Sequence, residues 1–117
     1  MFKVKAAGIY IIEHISGYYY IGMSNSFFDR IQSHYTQLKM NKHHSPKLQK
    51  LWNESKIEDW TFRILEYISL SEFKKTTEYK GKKLKDEFNK LLRKKEKEWM
   101  CKYSINWALN NDNKHFT

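Results

Sequence analysis

Hydrophobic residues near the start of the chain fall in short runs of the kind that form β-strands. Residues 7–14 and 18–22 are rich in isoleucine and tyrosine, which favours two strands with Ile15-Ser16-Gly17 as the turn between them. The run 60–67 has a similar composition and predicts a third strand. The pattern therefore indicates a small sheet.

Outside these strands the apolar spacing changes to that of helices. Ser26, followed three residues later by an acidic residue, is typical of a helix start. The buried face of this first helix is predicted from four residues at helical spacing: Phe28, Ile31, Tyr35 and Leu38. Pro46 marks the first turn of a second helix, and 71–103 predicts a further helical stretch interrupted near Gly81. The apolar stripe of that stretch consists of Leu84, Phe88, Leu92, Trp99 and Tyr103.

These elements define the fold class. A short three-stranded antiparallel sheet flanked by helices is an α/β domain of the α+β type. The chain has 117 residues, with no internal repeats and no Pro/Gly/Ser-rich linker. One domain over residues 1–117 is therefore expected.

The charge of the chain narrows the choice of partner. There are 22 Lys and Arg against 13 Asp and Glu, a formal net charge of +9, and 11 of the basic residues fall between Lys74 and Lys97. Such a field attracts polyanions, nucleic acid first and acidic membranes second, although it also serves solubility alone. A membrane partner is disfavoured because Asp86-Glu87 interrupts the basic helix and no apolar run is long enough to span a bilayer.

Cysteine and histidine usage bears on location and metal chemistry. Cys101 is the single cysteine, so neither a disulfide framework nor a Cys-based zinc site is expected. The N-terminal residues lack a secretory hydrophobic region, which favours a reducing, cytoplasmic location. His43-His44 has no accompanying pattern for zinc, and a loop that contacts DNA or is merely solvated is the better interpretation.

Two tripeptides on the predicted hairpin carry a family resemblance. Gly8-Ile9-Tyr10 on the first strand and Tyr20-Ile21-Gly22 on the second resemble the signature of the GIY-YIG nucleases. Further segments follow in the family's order: Arg30 and His34, then 44–52, then 96–100, and last Leu109-Asn110. The resemblance covers about residues 7 to 111. It implies a GIY-YIG nuclease-like fold and a metal-dependent endonuclease that hydrolyses DNA phosphodiester bonds.

A shared active site on this hairpin requires a particular register. A two-residue turn would place Tyr10 and Tyr20 on opposite faces of the sheet, because side chains alternate along a strand. A three-residue turn, with Gly17 at positive φ, pairs His14 with Tyr18 and brings both tyrosines to one face. We predict the three-residue form.

Four side chains are the candidates for catalysis at the phosphate. Tyr10 would take a proton from the attacking water; an unperturbed phenol has a pKa of about 10, and a nearby guanidinium would favour the phenolate. Tyr20 would orient water or phosphate. Arg30 and His34 are four residues apart, so they share one side of the first helix. Arg30 would hold the scissile phosphate, and His34 would either donate to the phosphate or assist the tyrosine.

Glu96 is the candidate metal ligand. It lies on the apolar stripe of the last helix, where a carboxylate needs a partner, whereas Glu98 is flanked by lysines and is expected in a surface ion pair. Glu66 is the next candidate. The sequence has no tight Asp/Glu cluster, so one Mg²⁺ or Mn²⁺ per site is expected, held by one carboxylate with water and substrate oxygens. Asn110 would bind phosphate or brace Tyr10 or Glu96.

The lysine-rich stretch around 71–95 is longer than the smaller members of the resembled family usually carry. We interpret it as a helical insertion that contacts DNA phosphates rather than as a solvated helix. The residues assigned to DNA binding are His44, Lys82, Lys83, Lys85, Lys90 and Lys94.

Duplex DNA is the expected partner, and one active site predicts a monomer that nicks one strand, with a transient dimer for a double-strand break. The resemblance leaves homing, restriction and repair open as biological roles, with a stand-alone homing-type enzyme as one candidate. Homing and restriction forms often add a separate recognition domain; none is visible here, so site preference is expected to be short or set by the region Lys74–Lys97. The main alternative is a non-catalytic nucleic-acid-binding protein on the same fold, against which the joint presence of Tyr10, Arg30 and Glu96 argues. An RNA-directed enzyme is disfavoured only by analogy with the family.

Overall fold

The computed structural model describes residues 6–109, which form one antiparallel sheet and four α-helices. The sheet has the order β2-β1-β3, and both pairings of the central strand are antiparallel. This arrangement confirms the predicted fold class. The elements are β1 (Gly8–His14), β2 (Tyr19–Ser24), α1 (Phe27–Lys39), α2 (Pro46–Asn53), a 3₁₀ turn (Ile57–Asp59), β3 (Trp60–Tyr67), α3 (Leu70–Lys75), α4 (Gly81–Met100) and a second 3₁₀ turn (Ile105–Trp107).

The hairpin between β1 and β2 has the predicted three-residue turn. The backbone N–H of His14 donates to the carbonyl of Tyr18 over 2.9 Å, and Gly17 has a φ of 105°. In the resulting register Tyr10 lies opposite Gly22, and Tyr20 lies opposite Ile12. Both tyrosines therefore point to the same face of the sheet, as the shared site requires.

Each face of the sheet carries its own hydrophobic core. On one face the side chains of Ile9, Ile11 and Ile21 pack against α4, through Phe88, Leu92 and Met100. On the other face Tyr10, Ile12 and Tyr20 pack against α1 and α2, through Phe27, Leu38 and Leu48. The tyrosine face and α4 thus lie on opposite sides of the sheet.

The predicted buried face of α1 is wrong in phase. Phe28 and Tyr35 are 40% and 44% exposed, whereas Phe27, His34 and Leu38 are buried. The pattern misled because His34, a polar residue, occupies a core position, where its ring nitrogens are hydrogen-bonded. Once His34 is counted as a core residue, the stripe on the true face shows the ordinary helical spacing.

The basic stretch forms two helices rather than one. α3 ends at Lys75 and α4 begins at Gly81, whose φ of 55° suits glycine, so the predicted interruption near Gly81 is confirmed. The predicted stripe on α4 is confirmed at Leu84, Phe88 and Leu92, which are buried. Within residues 6–109, no helix is long and apolar enough to cross a membrane.

Candidate active site

The two glycines of the hairpin tripeptides shape the tyrosine face. Gly22 lies beside the Tyr10 ring, and a Cβ atom added at Gly22 would overlap the Tyr10 hydroxyl. A Cβ atom at Gly8 would overlap the carbonyl of Glu66 on β3, where the pairing of β1 with β3 shifts register. The glycines therefore allow Tyr10 to lie across β2 and allow β1 to approach β3 closely.

Tyr10 stands at the end of a chain of buried hydrogen bonds. Its hydroxyl lies 2.6 Å from Nε2 of His34, and Nδ1 of His34 lies 2.6 Å from Nε2 of His43. Nδ1 of His43 accepts from the backbone N–H of Ser45 over 3.0 Å. His34 is thus hydrogen-bonded to Tyr10, the contact on which one of its two predicted roles depends.

The direction of these hydrogen bonds follows from the backbone amide at the far end. An amide N–H only donates, so a neutral His43 carries its proton on Nε2 and donates to His34. His34 in turn carries its proton on Nε2 and donates to the Tyr10 oxygen. The hydroxyl oxygen of Tyr10 is therefore a hydrogen-bond acceptor at this contact.

The loop that supplies His43 is held from two sides. Ser45 is buried, its side chain caps α2 by accepting from the Leu48 N–H over 3.3 Å, and its hydroxyl donates to the Leu109 carbonyl over 2.5 Å. The side chain of Gln49 accepts from the His43 N–H over 3.0 Å. These contacts fix the His43 ring behind His34, in a position that the sequence pattern did not assign to the site.

Tyr20 and His44 form a second pair next to Tyr10. The Tyr20 hydroxyl lies 2.8 Å from Nε2 of His44, and the rings of Tyr10 and Tyr20 stack with centroids 6.5 Å apart. His44 is exposed while Tyr20 is buried. His44 is therefore a neighbour of the active site, as predicted, and it reaches the surface.

Burial controls the protonation of this cluster. Burial, followed by the neighbouring Tyr20, raises the pKa of Tyr10 well above its usual value, and the opposing effect of Arg30 is smaller. Arg30 thus lowers the pKa of Tyr10, as expected, but does not by itself bring that pKa toward neutral pH. Burial also lowers the pKa of His34 to about 3 and that of His43 to about 4. Both histidines are neutral at pH 7, in agreement with the assigned tautomers.

Glu96 lies on α4, contacts the backbone of β2 and interacts electrostatically with Tyr10. Its carboxylate accepts a hydrogen bond from the backbone of Met23, and burial raises its pKa to about 7 against the effects of Arg30 and two other basic side chains. Electrostatic interactions of Tyr10 extend to both Arg30 and Glu96. Arg30 is exposed, and within residues 6–109 it forms no ion pair with a carboxylate.

The other candidate carboxylates are engaged elsewhere. Glu66 accepts from the indole N–H of Trp99 over 2.8 Å and lies 3.7 Å from the Lys95 ammonium. Glu98 pairs with Lys95 over 3.9 Å at the surface, as predicted. Glu96 is thus the acidic side chain that the structure places beside Tyr10 and Arg30.

The donor set fits a divalent metal held by few protein ligands better than it fits a protein-enclosed metal. In the described part of the chain, no group of three or more His, Cys, Asp or Glu side chains is arranged to hold an ion. Mg²⁺ is commonly held by one or two carboxylates with water and substrate oxygens. The partly buried Glu96, whose raised pKa reports an incompletely compensated charge, matches that mode of binding.

The remaining predicted residues lie as follows. Tyr10, Tyr20, Arg30, His34 and Glu96 are brought together, whereas Asn110 falls outside the described residues. The predicted DNA-binding lysines divide between two sides of α4, with Lys82 and Lys85 on the Glu96 side and the others on the far side. The others are Lys83, Lys90 and Lys94.

The fold and the site together are those of a small nuclease catalytic domain. The sequence profile of the GIY-YIG catalytic domain matches residues 6–97. The chain therefore belongs to the GIY-YIG family, whose members are endonucleases that hydrolyse phosphodiester bonds.

Solved structures agree with this assignment at the level of the fold. The catalytic domain of homing endonuclease I-TevI superposes with a TM-score of 0.66 at 23% sequence identity, covering 90% of this chain and 99% of that one. A mutant of the same domain, described as that of an intron endonuclease, gives a TM-score of 0.63 at 23% identity over 86% of this chain and 93% of that one. Comparison with curated protein sequences gives no significant match.

Proposed function

We propose that this protein is a metal-dependent endonuclease that cuts duplex DNA one strand at a time at a single active site. The observation that carries the proposal is that Tyr10, which is hydrogen-bonded to the buried histidine chain, also lies within electrostatic range of Arg30 and Glu96. Binding of nucleic acid alone would not require a buried tyrosine connected to two neutral histidines. The family assignment supports the same class of reaction.

Tyr10 acts as the general base in this proposal. Its oxygen accepts a hydrogen bond from His34, and that bond favours the phenolate over the phenol. The proton of Tyr10 does not pass into the histidine chain, because the Ser45 N–H occupies the position where a proton on His43 Nδ1 would have to lie. The Tyr10 proton instead leaves on the side where the substrate binds. The resulting phenolate then takes a proton from the attacking water.

Arg30 and Glu96 act on the phosphate. The exposed Arg30 guanidinium binds the scissile phosphate and stabilises the negative charge that grows on its oxygens. Glu96 holds one Mg²⁺ or Mn²⁺, which when bound polarises a phosphoryl oxygen and assists the leaving group. The positive charge of Arg30 also favours the Tyr10 phenolate against the effect of burial.

Tyr20 and His44 form the surface side of the site. The hydrogen bond to His44 fixes the hydroxyl of Tyr20 beside the Tyr10 ring, where it orients the water or the phosphate. His44 is exposed and is placed to contact the DNA backbone next to the scissile bond. Asn110 is proposed to bind phosphate or to brace Tyr10 or Glu96.

The number of active sites sets the expected course of cleavage. The two strands of a duplex run antiparallel, so one site cuts one strand in each orientation. A monomer therefore nicks first, and a double-strand break requires reorientation or a transient dimer. A homing-type enzyme is the biological role that we propose.

The proposal is tested with a labelled duplex, Mg²⁺ and three variants, with DNA affinity measured in parallel. Tyr10→Phe and Glu96→Gln should each lower the cleavage rate by about 10²-fold or more, with little change in affinity. Glu98→Gln is the matched control on the same helix and should cleave at the wild-type rate. Full activity of Glu96→Gln would refute the assignment of the metal ligand. Affinity without any cleavage by the wild-type protein would identify a binding protein instead.

A further inference from the structure

The basic residues of α4 are not equivalent, because the helix presents them on different sides relative to Glu96. At 3.6 residues per turn, Asn89 and Lys85 lie within about 20° of Glu96 around the helix axis, and Arg93 lies about 60° away. The far side carries Lys90 and Lys94, about 120–160° from Glu96. Only the near side lies on the same face of α4 as the Glu96 carboxylate.

Two contacts fix the orientation of this near side. Glu96 accepts a hydrogen bond from the backbone of Met23 near the end of β2. Two turns earlier, the Asn25 side chain donates to Asn89 Oδ1 over 3.3 Å. The near side of α4 therefore faces the β2 edge and the loop that follows it along at least seven residues of the helix.

Ion pairs occur on both sides of α4: on the near side Lys82 pairs with Asp86 over 3.2 Å. On the far side Glu87 pairs with Lys83 over 3.4 Å and with Lys90 over 3.0 Å, so part of that charge is compensated. Lys85 and Arg93 are exposed and, within residues 6–109, form no ion pair with a carboxylate. Lys94 on the far side is likewise exposed and, among the described residues, forms no such pair, so the two sides differ in position rather than in pairing: Arg93 lies within electrostatic range of Glu96, and Lys85 follows on the same side of the helix.

We propose that Arg93 and Lys85 bind two phosphates of duplex DNA on one side of the bond that is cut, Arg93 close to that bond and Lys85 farther along the backbone; this inference rests on the proposed function. The rise of an α-helix places Arg93 about 4.5 Å and Lys85 about 16 Å along the axis from Glu96. Sixteen ångströms along a duplex corresponds to about five base pairs. The near side of α4 therefore binds the DNA backbone along the helix axis, and the far side of the lysine-rich helix is solvated.

The test compares two double variants with the same change in charge. Lys85→Gln/Arg93→Gln alters the near side, and Lys90→Gln/Lys94→Gln alters the far side. The affinity of each full-length protein for a labelled 30-base-pair duplex is measured from low to high NaCl without divalent metal. The near-side variant should lose about 1.8 from the slope of log affinity against log salt and bind up to about 60-fold more weakly at 0.1 M salt, whereas the far-side variant should keep the wild-type slope.

Equal effects of the two variants, a larger effect of the far-side variant, or an unchanged slope in the near-side variant would overturn the proposal. All four positions are exposed, and circular dichroism with a thermal melt verifies that each variant folds. Cleavage by the same proteins with Mg²⁺ at low salt separates this inference from the proposed function. A wild-type protein that binds duplex DNA without cleaving it would refute the function, while the salt slopes would still decide the role of the near side.

Discussion

The backbone N–H of Ser45 donates to Nδ1 of His43 over 3.0 Å, and this contact sets the direction of every hydrogen bond between the α2 loop and Tyr10. His43 then donates to His34, and His34 donates to the Tyr10 oxygen. A hydrogen bond that His34 donates to the Tyr10 oxygen stabilises negative charge on that oxygen. Because His43 and His34 both donate toward Tyr10, neither histidine can accept the proton of the Tyr10 hydroxyl.

The tautomers can be measured directly. In a ¹⁵N-labelled protein at pH 7, long-range ¹H–¹⁵N correlation spectra should show His34 and His43 neutral and protonated at Nε2. The half-buried His14 and the exposed His44 serve as internal references for less buried rings. A His34 ring that is protonated at Nδ1 would mean that Tyr10 donates to histidine, and the proposed direction of proton flow would be wrong.

The buried histidines make stability depend on pH. Their pKa values fall from about 6.5 in the unfolded chain to about 3 and about 4 in the folded protein. Between these values the unfolded chain binds more protons, so stability is complete above about pH 6.5 and is lost as the pH falls. Each histidine contributes a slope of at most about 1.4 kcal/mol per pH unit.

Glu96 acts on the pH dependence of stability in the opposite direction to the histidines. Its pKa is raised to about 7 in the folded protein, so between pH 4.5 and 7 the folded state binds more protons at Glu96 than the unfolded chain does. Urea unfolding of the wild type and of Glu96→Gln at pH 7.5, 6.0 and 5.0 separates the two effects. Stability should fall toward pH 5 in both proteins, and more steeply in Glu96→Gln. Stability that rises toward pH 5 in the variant would contradict the burial of neutral histidines.

Metal binding should compete with protonation at Glu96. Because the pKa of Glu96 is about 7, the apparent affinity for Mn²⁺ should fall about tenfold per pH unit below pH 7 and level off above it. The measurement is the Mn²⁺ concentration for half-maximal cleavage between pH 5.5 and 8.5. Glu98→Gln should show the same profile as the wild type. A profile that is flat through pH 7 would place the metal on another ligand.

Gly22 is predicted to be essential for the site, since a Cβ atom there would overlap the Tyr10 hydroxyl and ring. Gly22→Ala should lower the free energy of unfolding by about 1–3 kcal/mol, as overpacking of a core does, and should abolish cleavage by displacing Tyr10. Urea unfolding and the cleavage rate check both effects. A variant with wild-type stability and rate would show that Tyr10 does not need its observed position.

The sheet and the order of the elements could be predicted from the sequence because they depend on local patterns. The β-branched and aromatic runs and the glycine at the turn determine the hairpin, and the confirmed register of Tyr10 and Tyr20 followed from the length of that turn. The phase of α1 could not be predicted in this way, because His34 is a polar residue in a core position.

The candidate site was predictable to a similar extent. Side chains at motif positions, such as Arg30 and Glu96, were identified from residue type and spacing. His43 was not, because its place depends on the packing of a loop against Ser45 and Gln49, which leaves no periodic signal. The adjacent histidines before the α2 cap were the one available indication, and the sequence did not show that His43 turns inward and His44 outward.

Incubation with supercoiled plasmid tests the central claim most directly. With Mg²⁺ or Mn²⁺ and protein at low salt, the plasmid should convert to the open-circular form before any linear product accumulates, and EDTA should stop the reaction. This order of products is expected when one site built from Tyr10, Arg30 and Glu96 cuts one strand at a time. Plasmid that stays supercoiled at protein concentrations that saturate the DNA, with either metal present, would contradict the account.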